Sequence, residues 1–149
     1  MKKNKILYID MDNVLVDFTS AFTSIDDSTK IKYKDNLDDI PGIFSKMEPM
    51  KGAIDAYIEL SRNYDTYILS TAPWDNQSAW SDKLIWVKKY LGNYARKRLI
   101  LSHHKNLNSG DYLIDDRPNN GAKEFKGEWL HFGDKGKFKN WRQILNYLL

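Results

Sequence analysis

Lys5-Ile6-Leu7-Tyr8-Ile9-Asp10-Met11-Asp12, residues 5–12, decides how the rest of the chain reads. Its first half is apolar on both faces, as a strand buried in a parallel sheet must be, and it stops at two aspartates. The design recurs downstream. Thr66-Tyr67-Ile68-Leu69 ends at Ser70-Thr71-Ala72-Pro73, and Arg98-Leu99-Ile100-Leu101 ends near Ser102. Tyr112-Leu113-Ile114 runs into Asp115-Asp116-Arg117-Pro118, and Trp129-Leu130-His131-Phe132 stops at Gly133-Asp134. Between these runs lie segments with helical spacing. Residues 52–63 carry Ile54, Tyr57, Ile58 and Leu60 at that spacing, residues 79–91 carry Trp80, Leu84, Val87 and Leu91 ahead of a stop at Gly92, and Phe138 to Leu148 forms the last helix. Strands alternating with helices predict an α/β fold, a three-layer Rossmann-like parallel sheet with right-handed crossovers that binds ligands at the carboxyl ends of its strands. Asp10, Asp12, Thr71, Lys105, Asp115 and Asp116 all fall at or just beyond strand ends, so this topology gathers them into one crevice.

The 149 residues are one domain's worth of chain, and 42% apolar with 13% aromatic residues is enough to bury a core, which excludes a disordered protein. The exception to strict alternation is residues 19–48, a polar stretch with five aspartates and no long apolar run. It reads as a small cap inserted into a single domain of residues 1–149 and lying over the crevice. No stretch reaches the ~18 consecutive apolar residues of a membrane span, and Met1-Lys2-Lys3-Asn4-Lys5 leads straight into a strand, so a cytoplasmic monomer or homodimer with no membrane partner is expected. The absence of cysteine excludes thiol chemistry, and the three histidines, His103, His104 and His131, lack ligand spacing. Catalysis must rest on carboxylates, hydroxyls and amines. A formal charge of +3 points to an anionic partner without identifying it.

Carboxylates at i and i+2 on a strand end point in related directions as the chain begins to curl, so they can share a hard cation that offsets their repulsion. Asp10 and Asp12 fit this, and Asp115-Asp116 supplies a second pair in the same position. Oxygen donors from a few carboxylates, with substrate phosphate and water, suit Mg²⁺. A lone aspartate at such a place is more often a helix cap or turn residue; two strand-end pairs outweigh that reading. Thr71 alone would be a β-branched strand terminator and Lys105 alone a solvated cation, but their position beside the acids assigns both to the crevice.

These motifs, in this order, resemble the 5′(3′)-deoxyribonucleotidase family of the haloacid dehalogenase superfamily. The matching residues are Asp10-Met11-Asp12-Asn13-Val14-Leu15-Val16-Asp17-Phe18, Leu69-Ser70-Thr71-Ala72-Pro73, Lys105, and Leu113-Ile114-Asp115-Asp116-Arg117-Pro118. Met47-Glu48-Pro49-Met50-Lys51-Gly52-Ala53 looks like the family's return from cap to core. The resemblance covers residues 5 to about 132. It implies a HAD-like core and Mg²⁺-dependent hydrolysis of nucleoside monophosphates, with Asp10 as the nucleophile that forms an aspartyl-phosphate. Asp12 would protonate the leaving oxygen and then deprotonate the attacking water. Mg²⁺ would be held by Asp10, the Asp12 carbonyl and Asp116, with Asp115 orienting a metal-bound water. Thr71 and Lys105 would hold phosphate oxygens, so Asp12, Phe18, Thr71 and Lys105 are the implied substrate contacts. Phe18 matches a position that packs against the nucleobase, and Trp74 is a second aromatic candidate.

Asn13 stands where the family often has Gly, and Asn tolerates a left-handed turn. Ala72 replaces a hydroxyl residue, and residues 19–48 are shorter than the family's usual cap, leaving Tyr33, Ile43 and Phe44 as candidates to line it. A phosphatase for nucleic-acid phosphate ends or other small phosphomonoesters is the alternative. Lys88, Lys89, Arg96, Lys97, Arg98 and Lys105 run without an intervening acid, with Tyr90 and Tyr94 interleaved, although a solvated helix face and turn is the better account of the run. A receiver-type signalling domain has the acids and lysine in a different chain order. A non-catalytic nucleic-acid-binding module would require a degenerate site.

Overall fold

A computed structural model describes residues 4–149. In chain order its elements are β1 (Ile6–Ile9), β2 (Val16–Asp17), α1 (Asp27–Lys32), β3 (Glu48–Pro49), α2 (Ala53–Asn63), β4 (Asp65–Ser70), α3 (Gln77–Tyr90), β5 (Leu99–Leu101), β6 (Tyr112–Asp115), β7 (Glu128–His131) and α4 (Trp141–Leu148), joined by short 3-10 turns. The main sheet is parallel throughout, in the order β5-β4-β1-β6-β7, so β1 sits in the middle. Ile9 is in register with Ile68 of β4 and Ile114 of β6. The Asp10 N–H then donates to the Ile114 carbonyl at 2.9 Å, which brings Asp10 alongside Asp115. The expected α/β parallel sheet is thus the fold observed.

Strand alternation splits the core between the two faces. Leu7, Ile9, Ile68 and Ile114 join the larger cluster with Tyr57 and Leu60 of α2, Trp86 and Val87 of α3, and Trp141 and Ile144 of α4. Tyr8, Leu69 and Leu113 belong to a smaller cluster covered by Ala122 and Phe125. On that second face the layer is made by connections rather than helices. Gly110 lies so close to Tyr8 that an added Cβ would meet the ring, and the Tyr8 hydroxyl donates to the Ser109 carbonyl at 2.6 Å.

Two helices differ from their sequence reading. α3 buries Ala79, Lys83, Trp86 and Val87, leaving Trp80 and Leu84 exposed, so its inward face is rotated from the Trp80-Leu84-Val87-Leu91 stripe. The last helix begins at Trp141 and not at Phe138. Asn140 caps it by accepting from the Gln143 N–H at 3.0 Å, while Phe138 bridges to Phe132 in extended conformation.

The segment between β2 and β3 leaves and returns through an antiparallel two-residue stem. It is less polar in place than its composition suggests, because Ile40, Ile43, Phe44 and Met47 are buried in the main core. Side chains of the core pin it from below. Asn76 Nδ2 donates to the Asp38 and Ile40 carbonyls at 2.8 and 3.0 Å, Ser78 Oγ accepts from the Gly42 N–H at 2.9 Å, and Trp86 Nε1 donates to the Met47 carbonyl at 3.2 Å.

Tyr57 of α2 is fully buried, and its hydroxyl has no hydrogen-bond partner among the described residues. A buried hydroxyl without a partner costs its desolvation. Tyr57→Phe should therefore raise stability by about 1–3 kcal/mol in urea unfolding; a loss of similar size would show that the hydroxyl is satisfied.

Candidate active site

The loop after β1 folds around one carbonyl. Met11 O accepts from the N–H groups of Val14, Leu15 and Val16 at 3.1, 2.9 and 2.9 Å, and the Asn13 N–H donates to Val16 O at 2.7 Å. This turn needs a left-handed residue, which Asn13 supplies at φ 62°. The substitution of Asn for Gly is thus accommodated. From the other end of the chain, Trp141 Nε1 donates to the Val14 carbonyl at 2.9 Å and fixes the loop against α4.

Lys105 enters from the turn after β5. Its N–H donates to the Asn120 carbonyl at 2.7 Å, and Gly121 permits this approach: a Cβ there would stand 3.0 Å from Lys105 N and 2.9 Å from Asn106 N. The buried ammonium bridges Asp10 Oδ1 at 3.0 Å and Asp115 Oδ2 at 2.5 Å. Burial alone would lower the lysine's pKa, but the two carboxylates outweigh it and hold Lys105 above its usual range. Burial and the neighbouring Asp10 push both Asp115 and Asp116 upward. The backbone of this acidic pair is fastened from β7. Trp129 Nε1 donates to the Asp115 carbonyl at 3.0 Å, and His131 Nε2 lies 2.9 Å from the Asp116 carbonyl. His131 therefore serves the site as a brace.

Asp12 is treated separately from the other acids. Its carboxylate faces Lys83 of α3, with Nζ at 3.2 and 3.1 Å from the two oxygens. Lys83 is 0% exposed; its ammonium also reaches Ser70 Oγ at 3.0 Å and lies 4.4 Å from the centroid of the Phe44 ring. Burial raises the Asp12 pKa and Lys83 opposes the rise. The sequence reading missed Lys83. The available signal was its spacing from Ala79, Trp86 and Val87, which places a lysine in the middle of an otherwise apolar stripe.

The remaining expected residues divide. Asp10, Asp12, Thr71, Lys105 and Asp115 line one small cavity, closed on its other side by Arg117, Asn119 and Asn120. The Thr71 hydroxyl donates to the Ser102 carbonyl at 2.7 Å, so it must turn to donate to a ligand. Phe18 packs edge-on against Phe22 and Phe44, with ring centroids 5.9 Å apart in each pair, and does not line that cavity. Trp74 is 79% exposed, its ring 6.0 Å from that of His103. Of the basic run, only Lys105 reaches the acids. Arg98 pairs with Asp65 at 2.6 Å, while Lys88, Arg96 and Lys97 line a separate groove along α3 and β5.

Asp10, Asp115 and Asp116 each offer an oxygen within 4.8 Å of the others. An octahedral Mg²⁺ needs its oxygens roughly 3–4 Å apart, so small side-chain adjustments bring this hard, all-oxygen set into range. The raised carboxylates fit a site that gains from a cation. The Asp12 side chain stands outside the cluster, held by Lys83.

Comparison with known proteins bears on family and fold. The family model for 5′ nucleotidase, deoxy (pyrimidine), cytosolic type C protein matches residues 32–144. A Vibrio phage KVP40 protein, described as "Putative 5′(3′)-deoxyribonucleotidase", is 57% identical over 143 residues, covering 96% of this chain and 84% of the relative. The human 5′(3′)-deoxyribonucleotidase, cytosolic type, is 34% identical over 93 residues, 61% of this chain and 46% of the human protein. The magnesium-bound structure of the "putative HAD-hydrolase YfnB" from Bacillus subtilis superposes with a TM-score of 0.70 over 99% of each chain at 13% identity. The haloacid dehalogenase-like protein SP0104 from Streptococcus pneumoniae gives 0.56 at 19% identity, covering 97% of this chain and 91% of that one. These last likenesses bear on the fold, which is that of the haloacid dehalogenase-like hydrolases, and the sequence relatives bear on descent: the chain belongs to the 5′(3′)-deoxyribonucleotidase family.

Proposed function

We propose that this chain hydrolyses nucleoside monophosphates through an aspartyl-phosphate on Asp10, with Asp12 as acid and then base. The observation that carries the reading is the separation of the acids: Asp10 stands in the cluster with Asp115 and Asp116, while Asp12 is held apart by its own lysine. An Asp10 oxygen attacks phosphorus, the bond to the leaving oxygen breaks, and Asp12 delivers its proton to that oxygen. Water then attacks the same phosphorus, Asp12 takes the water's proton, and the Asp10 carboxylate and inorganic phosphate are released. Lys105 and Thr71 steady the phosphoryl oxygens, where charge is spread in the transition state. Asp10 and Asp116, with the Asp12 carbonyl and with Asp115 behind, would hold Mg²⁺. When bound it neutralises the gathered carboxylates and draws charge from the phosphoryl group. The segment at residues 19–48 acts as the cap. Among the described residues no helix is long and apolar enough to cross a membrane. A human relative of cytosolic type supports a cytoplasmic location.

A second substrate class is favoured by one feature. Beside Asp116 a cavity of about 550 Å³ opens, with Lys51, Arg117, Lys135 and Lys139 in its wall, and this is room and charge for the phosphate end of a nucleic acid.

With a panel of deoxy- and ribonucleoside monophosphates and Mg²⁺, phosphate release is expected from wild type, while Asp10→Asn should fall below about 10⁻³ of it. Wild-type turnover by Asp10→Asn would remove the proposed nucleophile. Chelation should abolish release and added Mg²⁺ restore it. Asp116→Asn should raise the Mg²⁺ concentration for half-maximal activity at least about 10-fold; an unchanged requirement would take Asp116 out of the metal set. If a 5′-phosphorylated oligonucleotide is not preferred over mononucleotides at low salt, with the preference lost at high salt, the second substrate class is wrong.

A further inference from the structure

A lysine with no exposed surface has given up its hydration, and it is tolerated only where its charge is matched. Lys83 makes three contacts, each from a different part of the fold: the Asp12 carboxylate from the loop after β1, Ser70 Oγ from the end of β4, and the Phe44 ring from the segment between β2 and β3. Ser70 and Phe44 leave the ammonium little freedom, so the point to which it draws Asp12 is set by the scaffold. The other buried lysine, Lys105, takes Asp10 and Asp115 and has no hydrogen bond to Asp12. The two amines thereby divide the acids, and the Asp12 carboxylate stays out of the cluster that would take a cation.

We infer that Lys83 is a positioning residue for proton transfer: it holds the Asp12 carboxylate beside the leaving oxygen and away from the metal set, and Phe44 ties that position to the seating of the cap. This rests on the phosphatase reading. In phosphoryl transfer from a nucleotide, the P–O bond to an alkoxide breaks and Asp12 must deliver its proton there. With an aryl phosphate the leaving phenolate is stable without it. Loss of Lys83 therefore injures the two substrates unequally in the first step, whereas loss of phosphate binding or of packing injures both.

The test compares wild type and Lys83→Met on a deoxynucleoside monophosphate and on 4-nitrophenyl phosphate. The inference expects kcat/KM for the nucleotide to fall about 100-fold and that for the aryl ester less than about 3-fold, a positioned acid being worth ~10²–10⁴. Nitrophenolate should then appear in a burst, because the second step also uses Asp12. Equal losses on the two esters overturn the inference. In an Asp12→Asn background, Lys83→Met should add less than about a further 3-fold loss on the nucleotide, and multiplicative losses overturn it as well. Should Lys83→Met fail to fold by circular dichroism, Phe44→Leu, which keeps the ammonium and removes its ring cover, is expected to show the same selectivity at smaller size; an unselective loss overturns the inference. A wild type that hydrolyses neither ester would sink the phosphatase reading itself, an outcome distinct from any of these.

Discussion

Four carboxylates at the ends of two neighbouring strands repel one another, and the surrounding structure is arranged to meet that constraint. The sheet order puts β6 next to β1, so Asp10 and Asp115 are forced together by backbone pairing before any side chain is considered. Two buried lysines answer them, Lys105 from the turn after β5 and Lys83 from α3. Removing either partner of such a pair leaves an uncompensated buried charge, typically a loss of about 3–5 kcal/mol. The residues proposed to do the chemistry are therefore also the residues on which the local fold depends. A cation adds to an arrangement already half balanced.

How much of this was legible follows from where the information sits. Asp10, Asp12, Thr71, Asp115 and Asp116 follow apolar runs directly, so strand periodicity alone brings them to one crevice. Lys105 needed its motif. Lys83 was hidden because Trp80, Leu84, Val87 and Leu91 form the more apolar stripe of α3, while the face that is actually buried is chosen by tertiary partners, Asp12 among them. The start of α4 was misplaced for a comparable reason: Phe138 is apolar at helical spacing, yet its backbone pairs with Phe132 and Asn140 captures the first helical turn. Residues 19–48 looked polar in sum, and nothing local says that Ile40, Ile43, Phe44 and Met47 would enter the main core.

The two faces of the sheet serve the site differently. On the helical face, large side chains make one continuous core that runs beneath the segment between β2 and β3. Its seat is fixed by hydrogen bonds from Asn76, Ser78 and Trp86, so its position is coupled to the β4–α3 junction that also carries Thr71 and Ser70. On the other face, short connections pack by close backbone approach, and Gly121 lets the loop after β6 meet Lys105. Precision there comes from glycine and hydrogen bonds more than from apolar bulk.

The hydrogen bond from Trp141 to the Val14 carbonyl spans 127 residues of sequence. During synthesis, a ribosome-bound chain that has emerged through β7 already contains every acid and both lysines, but the loop carrying Asp12 lacks its brace. The site is finished only when α4 has cleared the exit tunnel and docked. Closing a contact of such high sequence separation carries a loop-closure cost that local contacts do not. The order of the site is thereby linked to the docking of α4, and a fragment that stops short of Trp141 holds the acids and lysines without this means of keeping them in place.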